Sequence, residues 1–71
     1  MSEPTFILVL INQVPHQLPA NASLADAVHQ FGITPPFAAA VNLKFVPKNQ
    51  YASFVLSPND EIELIAPITG G

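Results

Sequence analysis

The segment Ser23-Leu24-Ala25-Asp26-Ala27-Val28-His29-Gln30-Phe31-Gly32 decides the fold. Ser23 followed by Asp26 has the form of a capping box, with Asp in place of the usual Glu or Gln. Leu24, Ala27, Val28 and Phe31 fall at i, i+3, i+4 and i+7, which lines a single apolar stripe along a helix. Gly32 stands where a C′ residue with positive φ is wanted, and Pro35-Pro36 forbids continuation. The helix has a defined start, one face and a defined stop.

Working outward, Thr5 to Ile11 reads as a strand rich in Val, Ile and Phe. Asn12-Gln13 forms a hairpin turn into a second strand, Val14 to Leu18. Pro15 then requires an edge position, because proline cannot donate to a ladder. After the helix, Phe37 to Asn42 is a third strand and Lys44-Phe45-Val46 a short fourth, ended by Pro47. Asn49 to Ala52 is an irregular turn. Ser57-Pro58-Asn59-Asp60 is a tight turn, with Pro at its second position and Asn59 able to adopt αL. Glu61 to Ala66 is the last strand.

The order β-β-α-β-(β)-β predicts an α+β fold, a mixed four- to five-stranded sheet packed on one α-helix. It is the order of the ubiquitin-like β-grasp, in which the first and last strands lie side by side at the sheet centre. The reading is of a single domain over residues 1–71, with a flexible C-terminal tail over 67–71.

Alternation along the strands sorts the side chains. Ile7, Val9, Ile11, Leu18, Leu24, Val28, Phe31, Val41, Ile62 and Leu64 are expected in the core. Phe45 and Tyr51 are expected to pack under the second half of the sheet. Phe6, Leu8, Leu10 and Ile65 fall on the opposite face, which a single helix cannot also cover. They are expected to form a partner surface.

Composition points the same way. Of 71 residues, 49% are hydrophobic and only 10% charged, so a small domain must leave apolar surface outside. Net charge is −3 with two lysines and no arginine, which excludes nucleic-acid binding through phosphate contacts. The apolar run Phe6 to Ile11 is far below the ~20 residues of a membrane-spanning helix. The N-terminal residues lack the basic flank of a secretory signal, so a cytoplasmic location is expected. There is no cysteine, hence no disulfide and no thiolate metal site.

Among side chains with chemistry, His16 and His29 have no carboxylate at a ligand spacing and read as surface or edge residues. Ser23 is fully explained as a helix cap. Asp60, Glu61 and Glu63 read equally as docking groups for a basic partner and as a turn plus the solvated side of a strand. Asn42 is expected to hold a loop through side-chain hydrogen bonds. No phosphate loop, metal cluster or nucleophile–base pair is present, so no catalytic residue is expected.

Gly70-Gly71 follow the last strand after Pro67-Ile68-Thr69. Two residues without Cβ make a thin tail able to enter a narrow active-site tunnel. From Pro67 to Gly71 the reach is about 15 Å when extended.

Ala40-Val41-Asn42, Val46-Pro47-Lys48, Tyr51, Leu56 and Asn59-Asp60-Glu61-Ile62-Glu63, closing on Gly70-Gly71, resemble the ThiS family, the sulfur carriers of thiazole synthesis in thiamine biosynthesis. The likeness runs from Phe6 to Gly71. Asn59 stands where the family usually has Gly, and Lys48 where it usually has Arg. The resemblance implies a carrier rather than an enzyme. Gly71 would be adenylated with MgATP by an E1-like enzyme, converted to a C-terminal thiocarboxylate by a persulfide protein, and would donate sulfur to thiazole synthase. Ile68, Thr69 and Gly70 would be the inserted tail, and no cofactor would be bound. Without cysteine the chain has no thiol to hold sulfur as a persulfide; if it carries sulfur covalently as the resemblance implies, the terminal carboxylate is the attachment point. The diglycine alone is shared with the small subunit of molybdopterin synthase and with ubiquitin-like modifiers, so both remain alternatives, as does a plain interaction module with an inert tail.

Overall fold

The computed structural model describes residues 5–67. Five strands form one sheet: β1 (Phe6–Ile11), β2 (Val14–Pro19), β3 (Ala38–Val41), β4 (Lys44–Val46) and β5 (Glu61–Ile65), in the order β2-β1-β5-β3-β4. The helix α1 (Leu24–Phe31) follows β2, and a 3-10 turn at Lys48–Gln50 follows β4. β1 and β5 run parallel at the centre, while both hairpins and the β3–β5 pair are antiparallel. This is the expected β-grasp, with the short fourth strand forming the edge opposite β2.

The helix forms as its sequence dictates. The Ser23 Oγ accepts from the Asp26 amide at 3.2 Å, and an Asp26 carboxylate oxygen accepts from the Ser23 amide at 2.9 Å. Gly32 closes the helix at φ 85°, donating its amide to the Val28 carbonyl at 3.0 Å. The first two helical amides find tertiary acceptors: Leu24 donates to the Phe54 carbonyl and Ala25 to that of Tyr51. That satisfies donors which a helix start otherwise leaves to water.

Both hairpins turn through residues at positive φ, Asn12-Gln13 in the first and Asn42-Leu43 in the second. Two such residues in a row match the right-handed twist of the flanking strands. β2 lies at one edge, as Pro15 requires. Pro15 faces Leu10 and Pro19 faces Phe6. The Leu10 amide points the other way, to the Asp60 carbonyl at 2.9 Å, so the Pro15 nitrogen points to the open edge, where no donor is needed.

The core is Ile7, Val9, Ile11, Leu18, Leu24, Val41, Ile62 and Leu64, as read from alternation, joined by Ala22, Ala27, Ala39, Val46 and Leu56. Val28 and Phe31 are only half-buried and pack against this cluster. Phe45 is a correction. Its register opposite Ala40 turns it to the face away from the helix, where it is 69% exposed. Tyr51 does pack, stacking on Phe37 at 5.9 Å between ring centroids. His16 lies on the edge strand and meets Phe31 edge-on at 6.2 Å.

Among the described residues no helix is long and apolar enough to cross a membrane, and no three His, Asp, Glu or Cys side chains could hold a metal.

Candidate functional site

Because β5 is the strand that leads to the C-terminal residues, what holds it determines where the chain leaves the sheet. Two asparagines, one from each hairpin turn, clip it near both ends. At its start, the Asn42 Oδ1 accepts from the Glu61 amide at 3.0 Å, and the Asn42 amide donates to the Glu61 carbonyl at 2.7 Å. The Asn42 Nδ2 also donates to an Asp60 carboxylate oxygen at 3.0 Å, and the other Asp60 oxygen accepts from the Ser57 amide at 2.8 Å. Asn59 between them takes φ 69°, the αL conformation expected of it. Asn42 thus holds a loop, as read, and the loop is the lead-in to β5.

Near the other end, Asn12 continues the ladder after β1 has stopped. Its amide donates to the Ile62 carbonyl at 2.9 Å. Its side-chain Oδ1 then accepts from the Leu64 amide at 2.8 Å, while Nδ2 donates to the Leu64 carbonyl at 3.1 Å. The carboxamide acts as one more peptide unit of a neighbouring strand. Sequence reading placed Asn12 only in a turn. The partner lies 52 residues away, so no local pattern announces the contact.

β5 presents two different faces. Ile62 and Leu64 are buried toward the helix, whereas Glu61 and Ile65 are exposed and Glu63 half-buried on the other side. Around them on this open face stand Phe6, Leu8 and Leu10 from β1, and Ala38, Ala40 and Phe45 from β3 and β4. Phe6, Leu8 and Ile65 are each half exposed or more, and Leu10 is half-buried. The four expected partner-surface residues therefore share one face. Phe45 extends that face; its outward turn follows from the Asn42-Leu43 hairpin register, a signal present in the β3–β4 pairing and not in a three-residue strand alone. Glu61 and Glu63 place two carboxylates within the apolar surround, a pattern suited to a partner with apolar and basic groups.

Gly71, Gly70, Thr69 and Ile68, the expected tail, lie outside the described residues. The described chain reaches Pro67, two residues past Ile65, at the end of the sheet where β3 begins: Ala38 is the register partner of Ile65.

Comparison with known proteins bears on this arrangement. The sequence model of the ThiS family matches residues 7–71. The crystal structure of a thiamine biosynthesis protein (ThiS) from Geobacter metallireducens superposes with a TM-score of 0.76, covering 92% of this chain and 100% of that one at 10% sequence identity. At that identity the likeness is one of fold. No curated protein sequence matches the chain.

Proposed function

Because the chain belongs to the ThiS family, whose members are non-catalytic sulfur carriers, we propose that it supplies the sulfur of the thiamine thiazole through its last residue, Gly71. The observation that carries this reading is the family match, which extends through Gly70-Gly71 on a β-grasp body.

The chemistry follows from what a carboxylate lacks. It is a poor electrophile, so an E1-like enzyme joins the Gly71 carboxylate to the α-phosphorus of MgATP and releases pyrophosphate. The terminal sulfur of a partner's persulfide attacks the acyl carbon and expels AMP. A thiol then cleaves the resulting acyl disulfide, leaving a thiocarboxylate on Gly71 and a disulfide on the donor. That thiocarboxylate is the nucleophile presented to thiazole synthase. The body contributes no group to these bond changes. It contributes a rigid handle: β5 clipped by Asn12 and Asn42, and an open face of Phe6, Leu8, Leu10 and Ile65 for the partner to grip. Ile68, Thr69 and Gly70 are assigned to the partner's tunnel, where the missing Cβ atoms of Gly70 and Gly71 permit close approach of backbone to nucleotide.

Growth of a strain deleted for this gene tests the reading. Without added thiazole, the full chain restores growth and a chain lacking Gly70-Gly71 does not. Growth restored by both would refute it, and loss of molybdoenzyme activity with thiamine synthesis intact would move the chain to the molybdopterin pathway.

A further inference from the structure

The Val46-Pro47-Lys48 motif and the following Tyr51 are not used by the tail chemistry or by the open face. Tyr51 stacks on Phe37 at an interplanar angle of 17°, and together with Lys48 these rings border a groove on the helix side of the molecule. Its volume is about 670 Å³. Its lining also includes Val28 and His29 of α1 and, from the segment that follows the helix, Ile33 and Pro35.

Three features of this groove define an occupant. The lining is mainly apolar and includes no carboxylate, although the chain is net acidic; Lys48 is its one lysine. Asp26 lies at the helix start, and Asp60, Glu61 and Glu63 lie at the beginning of β5 and on the open face. The groove also lies at the pole where β5 leaves the sheet, since its lining residue Phe37 immediately precedes Ala38, the register partner of Ile65. Finally, it is open to solvent rather than enclosed. A small-molecule site encloses most of its ligand and fixes it with several polar groups, whereas an open apolar channel with one cation fits a polypeptide segment.

We propose that this groove is a second docking site for the activating enzyme, occupied by a segment of that enzyme carrying an apolar side chain next to a carboxylate. The apolar side chain enters between Val28 and the Phe37–Tyr51 pair, and the carboxylate meets Lys48. This inference rests on the proposal that the chain delivers its C-terminus to such an enzyme. It adds that the enzyme grips the body from the helix side as well as from the open sheet face. Two-sided contact would fix the rotation of the body about the tail, which neither the tail nor one flat face does alone.

The test uses the full chain and the purified E1-like enzyme of the same organism, without ATP, at low ionic strength. On adding the enzyme to isotope-labelled wild-type chain, backbone NMR signals of Gly32, Ile33, Phe37 and Tyr51 are expected to shift or broaden along with those of Leu8 and Ile65. Lys48→Glu is expected to weaken the equilibrium affinity about tenfold or more. Lys48→Arg should retain it. Lys44→Glu, which makes the same change in net charge outside the groove, should weaken it less than twofold. Groove signals that stay unmoved while the open face responds would overturn the proposal, as would equal losses for the two glutamate variants. These binding readouts need no sulfur transfer. If the enzyme binds but Gly71 never gains sulfur, the carrier reading fails while the groove is still judged on its own data.

Discussion

Replacing Asn12 with glycine removes the carboxamide that bridges the Leu64 amide and carbonyl, and leaves the turn's positive φ free of strain. Each of the two lost bonds is part-buried, and a bond of this kind contributes roughly 0.5–1.5 kcal/mol net. The expected loss is therefore about 1–3 kcal/mol. A domain of this size has on the order of 4–11 kcal/mol in total. With an unfolding entropy near 2.1 cal/mol/K per residue, each kcal/mol lowers Tm by about 7 °C. Asn12→Gly should melt roughly 7–20 °C below wild type. Asn12→Ala should be worse by about 1 kcal/mol, because an alanine at φ 52° adds left-handed strain to the same loss. Asn12→Asp keeps the acceptor for the Leu64 amide but sets a carboxylate against the Leu64 carbonyl, so it should fall below wild type as well. Thermal unfolding gives the magnitudes, and amide hydrogen exchange locates them. The Leu64 amide should exchange faster in Asn12→Gly relative to Val9, whose strand is held independently by β2. A loss under about 0.5 kcal/mol with unchanged Leu64 exchange would refute the clip.

Further outcomes follow from the same structure. Leu43 sits at φ 71° with 83% of its surface exposed, so Leu43→Gly should stabilise the fold by about 0.5–1 kcal/mol, seen as a higher melting temperature. Ser23→Ala removes the acceptor of the Asp26 amide and should cost about 1 kcal/mol in urea unfolding, with the slope of the transition unchanged. Leu8→Asp places a charge at the middle of the open face, on a side chain already 52% exposed. It should change folding stability by less than about 1 kcal/mol while weakening binding to the activating enzyme at least tenfold; normal binding by calorimetry would remove the open face from the interface.

What was legible in the sequence is mostly what is local. The capping box at Ser23 and Asp26, the apolar stripe and Gly32 each act within a few residues, and the helix forms at those positions. Asn59 was readable because αL preference belongs to the side chain itself. Alternation sorted β1 and β5 correctly because each is long enough to show period two. β4 has three residues, too few for a period, and Phe45 was assigned to the wrong face for that reason. Leu43 at positive φ was hidden because leucine gives no turn signal. Leu56 is buried outside any strand, its amide held by the Ala22 carbonyl at 2.9 Å, so no periodicity marked it. The clip at Asn12 depends on a partner at the far end of the chain, and only the fold brings the two together. Of the candidate site residues, the open-face set was legible as hydrophobic positions that a single helix cannot cover. The groove at Lys48 and Tyr51 was not, since its lining comes from residues 25–37 and 48–51, which only the fold brings together.

The most direct measurement is the intact mass of the chain after incubation with its E1-like enzyme, MgATP and a persulfide donor under reducing conditions. The expected product has one oxygen exchanged for sulfur, with fragmentation placing the change on Gly71. A chain that keeps its original mass while the enzyme is demonstrably active on another carrier, or one that takes up sulfur anywhere but Gly71, would contradict it.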